Sequence, residues 1–119
     1  MTVEECYKAM GGNYADVVSR LRTDERIKKF LLKVLDDGSY ALLVKNLGER
    51  NIEEAFRAAH TLKGVSMNLS LTTLFSEVNR LTEALRGRHE YGDDIAPLMT
   101  AVTKEYEKTV ARIRELAAE

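Results

Sequence analysis

Apolar residues recur along most of the chain at the three- and four-residue spacing of an amphipathic helix. The clearest stripe consists of Ile52, Ala55, Phe56, Ala59, Leu62 and Leu69. Side chains three and four positions apart lie on one face of a helix, so this pattern predicts a core-facing helix over 52–69. Asn51 with Glu54 forms a capping-box pattern at its start.

Comparable apolar stripes after this helix predict the elements that pack against it. The first stripe, which follows Ser70, contains Leu71, Leu74, Phe75, Val78, Leu81 and Leu85. The second contains Ile95, Leu98, Met99, Val102, Tyr106, Val110, Ile113 and Leu116. The polar, glycine-bearing interval 86–92 predicts the loop between them. Asp93 or Asp94 is expected to cap the last helix, with Pro97 tolerated in its first turn.

The segment 24–48 allows two interpretations. It is expected to start at Thr23 or Asp24, and it carries apolar residues at helical spacing on both sides of Gly38. Gly38 followed by a serine cap could end one helix and begin another, or the glycine could bend a single helix. Gly48 is expected to close the segment. The short connection to the next helix predicts antiparallel packing.

Two short helices are predicted before residue 22. Thr2 followed by Glu5 is a capping-box pattern that opens the first helix, and Gly11 with the glycine after it ends that helix. Asn13 can cap the second. We expect both to pack over one end of a bundle, with a structural role.

Four long amphipathic helices joined by short links are typical of an antiparallel up-down four-helix bundle. At 119 residues the chain is long enough for one hydrophobic core and too short for two. An apolar share of 45% with no Trp and one Pro also favours an all-helical protein. We therefore predict an all-α single domain over 1–119, with N-terminal cap helices in 1–22 and the four-helix bundle in 24–117.

Charge and cysteine content argue against several function classes. The 18 basic and 19 acidic residues are mixed along the chain, whereas a nucleic-acid binder normally carries a basic stripe. The single cysteine, Cys6, rules out an internal disulfide and a cysteine-based zinc site, and we interpret it as a small apolar residue. There is no apolar run of about 20 residues and no signal-peptide pattern, so we expect a cytoplasmic protein with no membrane partner.

One group of polar residues falls on the outer face of the helix predicted over 52–69. At about 100° per residue, His60 lies roughly 120° from the centre of the apolar stripe, which predicts an exposed imidazole. Arg57, Lys63, Gly64 and Met67 surround it, because residues three and four apart are surface neighbours. A glycine inside an exposed helix costs about 1 kcal/mol relative to alanine, which suggests that another molecule approaches there.

These residues resemble a known motif. The run Ala59-His60-Thr61-Leu62-Lys63-Gly64 on an amphipathic helix is similar to the phosphoacceptor motif of histidine-containing phosphotransfer (HPt) domains. The resemblance covers about residues 24–117 and also implies a four-helix bundle. By this resemblance we favour one bent helix over 24–48.

The resemblance implies a phosphocarrier of a two-component phosphorelay rather than an enzyme with its own kinase or hydrolase machinery. His60 would accept a phosphoryl group from a receiver-domain aspartyl phosphate and pass it to another receiver. Response-regulator receiver domains are the expected partners, with a hybrid sensor kinase as a further candidate. We expect a monomer with no metal or other cofactor of its own, because the divalent metal would belong to the receiver.

The neighbours of His60 have distinct expected roles. Lys63 would stabilise the phosphoryl charge, and Gly64 would give the partner access to the ring. Arg57 could help to hold phosphate, although a solvated helix charge is the commoner role of such a residue. Met67 is expected to be half-buried, with a functional role in an apolar docking surface.

The residue that orients the His60 ring is expected on the following helix. If the chain turns near Ser70, residues 79–82 lie level with His60, so Asn79 or Thr82 could hydrogen-bond the imidazole. Family members often carry a longer amide side chain near Thr82, and they commonly have glycine where this chain has Ser70.

A second interpretation is a non-catalytic helical interaction module, such as a degenerate HPt domain that binds a receiver without phosphotransfer. Hydrolase and metal chemistry are disfavoured, because His60 and His89 share no ligand spacing and no glycine-rich phosphate loop is present. His89 lies in a polar loop and is expected to be solvated.

Overall fold

Seven α-helices and no strand make up the fold, which confirms the all-α prediction. A computed structural model describes all 119 residues. The helices are α1 (Val3–Met10), α2 (Tyr14–Leu21), α3 (Asp24–Val34), α4 (Ser39–Gly48), α5 (Ile52–Asn68), α6 (Thr72–Leu85) and α7 (Ile95–Ala117). No helix is both long and apolar enough to cross a membrane.

The four-helix bundle is formed by α5, α6, α7 and the α3–α4 segment. The central helix α5 packs against α4 on one side and α6 on the other, and α6 packs in turn against α7. Stacked rings help to close the bundle, because Tyr40 of α4 lies parallel to Tyr106 of α7 with centroids 3.9 Å apart. The Tyr40 hydroxyl donates to Thr103 Oγ1 at 2.9 Å. The predicted antiparallel bundle is therefore confirmed.

The segment 24–48 forms two helices, so the single bent helix that we favoured is wrong. Helix α3 ends at Val34, and α4 begins at Ser39. Asp37 Oδ1 accepts from the backbone N–H of Ser39 at 2.9 Å and also from its hydroxyl. The first of these bonds satisfies a backbone donor at the start of α4. The cap position is held by Gly38 without a side-chain cap bond, and Ser39, expected as the cap, is the first residue of the helix.

The predicted start signals of the N-terminal helices are confirmed. Thr2 and Glu5 form a complete capping box. The side chain of Asn13 caps α2, and that of Thr23 caps α3. Gly11 ends α1 with a φ of 73°, in the left-handed region that glycine enters without strain.

Two predicted caps differ from the observed ones. Asn51 accepts from the backbone N–H of Glu54 at 3.4 Å, but the reciprocal half of the capping box is not formed. Asp94 occupies the cap position of α7 without capping it. Its carboxylate instead accepts two hydrogen bonds from Arg88, at 2.8 and 3.0 Å. A bidentate ion pair has replaced the cap.

The buried face of α5 is wider than its apolar stripe. Of the predicted stripe only Phe56 is partly exposed, while Ala58 and Ser66 are buried as well. The width follows from the position of α5, which packs against helices on two sides. The hydroxyl of Ser66 donates to the Leu62 carbonyl at 2.8 Å, which satisfies this buried polar group.

The N-terminal helices contribute directly to the core. Val3, Cys6, Tyr7 and Met10 of α1 are buried, and α1 packs chiefly against α7. Burial raises the pKa of the Cys6 thiol to about 11. A thiol that stays protonated at neutral pH is a poor nucleophile, so Cys6 acts as a small apolar residue.

Helices α1 and α2 also hold the turn between α5 and α6. Ser70 adopts a φ of 54°, a left-handed conformation that is unusual for a residue other than glycine. Its hydroxyl accepts from Arg20 and donates to Asp16 Oδ2 at 2.6 Å. Its carbonyl accepts from the backbone N–H of Asn13 at 2.8 Å. These contacts hold Ser70 in a backbone conformation that glycine adopts more easily.

The buried hydroxyl of Tyr7 ties α1 to the end of α5, where it donates to the Leu69 carbonyl at 2.8 Å. Tyr7→Phe is expected to lower the free energy of unfolding by about 1–2 kcal/mol, because the carbonyl loses its partner in a buried place. Urea unfolding followed by circular dichroism would measure this. Tyr14→Phe is the control, since its hydroxyl bonds Asp24 at the surface. An equal loss in both variants would contradict the argument.

Candidate functional site

His60 lies exposed on the outer face of α5, as the helical periodicity predicted. The nearest ring is that of Phe56, one turn earlier, with centroids 6.0 Å apart and planes tilted by 47°. No protein group forms a hydrogen bond with the imidazole. Both ring nitrogens are therefore free to meet a visiting molecule.

The surface beside His60 is open at Gly64. A Cβ atom built at this position meets no heavy atom within 4 Å beyond its own helix. Internal packing therefore does not require glycine here, and neither does backbone conformation, because Gly64 lies inside α5 without a positive φ. The residue leaves a gap in the side-chain layer one turn from the imidazole.

Arg57 and Met67 extend this exposed face in the two directions along the helix. The side chain of Arg57 is 77% exposed, and its Nη1 lies 3.4 Å from Glu54 Oε1. Met67 is 52% exposed, in agreement with the expectation that it is half-buried. A methionine on the outer face of a helix presents a flexible apolar contact surface.

Lys63 points across to α6 and is not free in solvent. Its side chain is only 23% exposed, and its Nζ lies 3.9 Å from Glu83 Oε1. The ammonium group is thus held on the α6 side of the outer face. Sequence periodicity places Lys63 beside His60, but it does not reveal this partner.

The structure does not bring Asn79 or Thr82 into a hydrogen bond with His60. Thr82 is fully buried, and its hydroxyl donates to the Val78 carbonyl at 2.7 Å. Asn79 is partly buried and makes no side-chain hydrogen bond. Any group that orients the ring must therefore come from elsewhere or from a rearrangement of these residues.

Two residues of this region were missed by the sequence analysis. Arg86 donates two hydrogen bonds to the Glu83 carboxylate, both at 3.1 Å. The Arg86 guanidinium also lies 5.1 Å from the centre of the Phe56 ring, which His60 flanks as well. The sequence could have indicated both residues. The hairpin register that places residues 79–82 level with His60 also brings the next turn of α6, which contains Glu83 and Arg86, near this part of α5.

The charges at this site are coupled. The pKa of Glu83 is lowered, first by the hydrogen bonds from Arg86 and then by the positive charges of Arg86, Lys63 and protonated His60, against an opposing effect of desolvation. The pKa of Arg86 is raised by the same pair. His60, Lys63, Glu83 and Arg86 thus form one electrostatic group on the surface, which we call the His60 cluster.

The second histidine lies apart from this cluster. The side chain of His89 is 79% exposed in the α6–α7 loop, and its Nδ1 is 3.1 Å from Glu53 Oε1. The predicted solvation is confirmed, with an acidic neighbour that the sequence did not indicate. No group of three or more His, Cys, Asp or Glu side chains is arranged to hold a metal ion.

The fold and the site define a class of protein, a helical bundle with an exposed imidazole beside clustered charges and a glycine that leaves a gap in the side-chain layer. Residues 32–116 match the Hpt domain family. Because the match covers more than half of the chain, the protein belongs to the Hpt domain family, whose members carry phosphoryl groups on histidine in phosphorelays and interact with receiver domains. Neither the curated proteins nor the solved structures gave a match.

Proposed function

We propose that His60 is the phosphoacceptor of this Hpt domain, taking a phosphoryl group from the aspartyl phosphate of one receiver and passing it to a second. The observation that carries the proposal is the exposed imidazole of His60, which forms no hydrogen bond with the protein and lies next to the open surface at Gly64. A receiver has to bring its own active site onto the ring, and this face leaves room for it.

The transfer uses the neutral form of the ring. Only the neutral form of an imidazole has a nitrogen lone pair that is free to attack. The lone pair of one ring nitrogen attacks phosphorus, an N–P bond forms, the P–O bond of the acyl phosphate breaks, and the aspartate leaves as a carboxylate with the electron pair. The second ring nitrogen releases its proton to water. Transfer to the next receiver reverses these steps.

Positioning and charge neutralisation supply most of the catalysis in phosphoryl transfer. On this chain Arg57 and Lys63 each lie three residues from His60, and we assign Lys63 to the charge of the phosphoryl group. The divalent metal that the reaction needs is assigned to the receiver, and the chain acts as a carrier without its own kinase activity. Met67 and Gly64 belong to the surface that the receiver covers.

A second function is favoured by one observation. Neither Asn79 nor Thr82 orients the His60 ring, so the domain could bind a receiver without transferring phosphate. In that case the same exposed face would serve docking alone. The two functions predict the same complex but different covalent products.

A transfer assay separates them. The purified chain is incubated with each of a panel of receiver domains that carry radiolabelled aspartyl phosphate. We expect at least one receiver to pass its label to the chain as an acid-labile, alkali-stable phosphoramidate, the chemistry of phosphohistidine. A receiver that binds the chain in a pull-down yet leaves no label on it would favour the docking function instead.

A further inference from the structure

The two cations on the α6 side of His60 share a single internal anion. The Glu83 carboxylate accepts two hydrogen bonds from Arg86, and its Oε1 also lies 3.9 Å from Lys63 Nζ. Both cations are therefore partly neutralised before any phosphoryl group arrives. Glu83 is the third member of a contact that joins α5 to α6.

This contact lies beside the imidazole. Both flank the ring of Phe56: the Arg86 guanidinium lies 5.1 Å from the ring centre, and the His60 ring centroid lies 6.0 Å from it. Lys63 lies one turn from His60 on the same helix. A phosphoryl group on His60 would place negative charge one helical turn from Lys63 and next to the Phe56 ring that Arg86 also contacts.

We propose that Glu83 competes with the phosphoryl group for Lys63 and Arg86, and that it thereby lowers the equilibrium affinity of His60 for phosphate. The inference rests on the phosphoacceptor role proposed above. On phosphorylation the two cations turn from the carboxylate to the phosphoryl oxygens, and Glu83 is left with weaker partners. The competition makes phospho-His60 a better donor and favours onward transfer to a second receiver.

A purely structural role for Glu83 is disfavoured by its exposure. Its side chain is 50% exposed, and its pair with Arg86 is of the i,i+3 type on a helix surface. Such exposed pairs contribute little to folding. The Glu83 carboxylate also places a negative charge at a site that receives a negatively charged phosphoryl group. This charge weakens phosphate binding, and its presence is explained if Glu83 promotes phosphate release.

The test measures the transfer equilibrium between the chain and a receiver domain that labels it. Glu83→Gln keeps the size and shape of the side chain and removes its charge. We expect the equilibrium to shift toward phospho-His60 by about 3- to 5-fold at low salt, because one screened charge interaction is relieved. The ratio between variant and wild type should fall toward one near 1 M salt, where the Debye length is about 3 Å.

Glu77→Gln is the matched control. Glu77 lies on the same helix and forms the same kind of i,i+3 pair, with Arg80 at 3.0 Å. Glu77 lies one turn after Thr73 and therefore on the same face of α6. The Thr73 hydroxyl contacts Met10 of α1 and Glu105 of α7, so this face of α6 is directed toward α1 and α7 and away from His60. Glu77→Gln also removes one negative charge but leaves the His60 cluster unchanged, so we expect no shift of the transfer equilibrium.

The outcomes distinguish the two proposals. If His60 is labelled and Glu83→Gln behaves like wild type, or if Glu77→Gln shifts the equilibrium equally, the competition is refuted and the phosphoacceptor role stands. If no variant and no wild-type protein is labelled by any receiver, the phosphoacceptor role fails and the competition fails with it. A salt-dependent shift in Glu83→Gln alone supports both.

Discussion

His60→Gln is expected to reduce labelling of the chain by a phosphorylated receiver to background. The imidazole lone pair is the nucleophile of the proposed transfer, and a glutamine amide nitrogen has no comparable lone pair with which to form the N–P bond. The ring is exposed and makes no hydrogen bond in the structure, so its loss should leave the fold and the thermal midpoint unchanged. Acid-labile counts on the purified variant, set beside wild type, measure the effect.

His89→Gln is the matched control for this experiment. It removes the other histidine of the chain, which is also exposed but lies in the α6–α7 loop and contacts Glu53. If His89→Gln is fully labelled and His60→Gln is not labelled, His60 is the phosphoacceptor. Label that persists in His60→Gln, or that disappears in His89→Gln, would show that the acceptor is a different residue.

Gly64→Gln is expected to slow phosphoryl transfer by about 10- to 100-fold while making the isolated domain slightly more stable. A side chain here would fill the gap that a receiver has to enter, and displacing reacting groups by about 1 Å can cost a factor of that size. The added Cβ meets nothing within 4 Å, and glutamine is a better helix former than glycine. Stopped-flow or rapid-quench transfer rates and thermal unfolding would record the two opposite effects.

Gly48→Gln provides the control for a glycine-to-glutamine change as such. Gly48 is the last residue of α4, has no positive φ, and a Cβ there also meets nothing within 4 Å. Transfer by this variant should equal that of wild type. An unchanged rate in Gly64→Gln would mean that the receiver approaches His60 from another side, and a loss of stability would mean that the glycine is needed by the fold.

The exposed position of His60 could be predicted from the sequence because it depends on one helix only. The 3.6-residue period assigns each residue to a face, and the apolar stripe shows which face is buried. The same argument gives the general layout of the bundle, since four such stripes joined by short links have few ways to pack. Errors of one or two residues in a helix boundary do not alter these conclusions.

Pairings between helices were beyond this kind of prediction. The hairpin register placed α6 near His60 and suggested Asn79 or Thr82 as its partner, but the Thr82 hydroxyl bonds within its own helix. Lys63 and Arg86 instead converge on Glu83. Which of several polar side chains meet depends on distances of a few ångströms, and helical spacing does not provide them.

Local competition for hydrogen bonds explains the other differences. Asp37 and Asp94 are both aspartates near a helix start, yet Asp37 accepts from the first backbone N–H of α4 and Asp94 binds Arg88. Sequence patterns identify residues that can cap, but whether a side chain does so depends on the partners that the fold brings within reach. For the segment 24–48 the sequence left both a break and a bend at Gly38 open, and the bent helix favoured by resemblance was wrong.

The burial of α1 has a practical consequence for the choice of domain boundaries. The family match starts at residue 32, but Val3, Cys6, Tyr7 and Met10 complete the hydrophobic core. A fragment trimmed to the matched region would leave the apolar surface of α7 bare, and such surfaces promote aggregation. Recombinant versions intended for crystallisation or spectroscopy should therefore keep the amino-terminal residues from Thr2 onward, where the capping box begins.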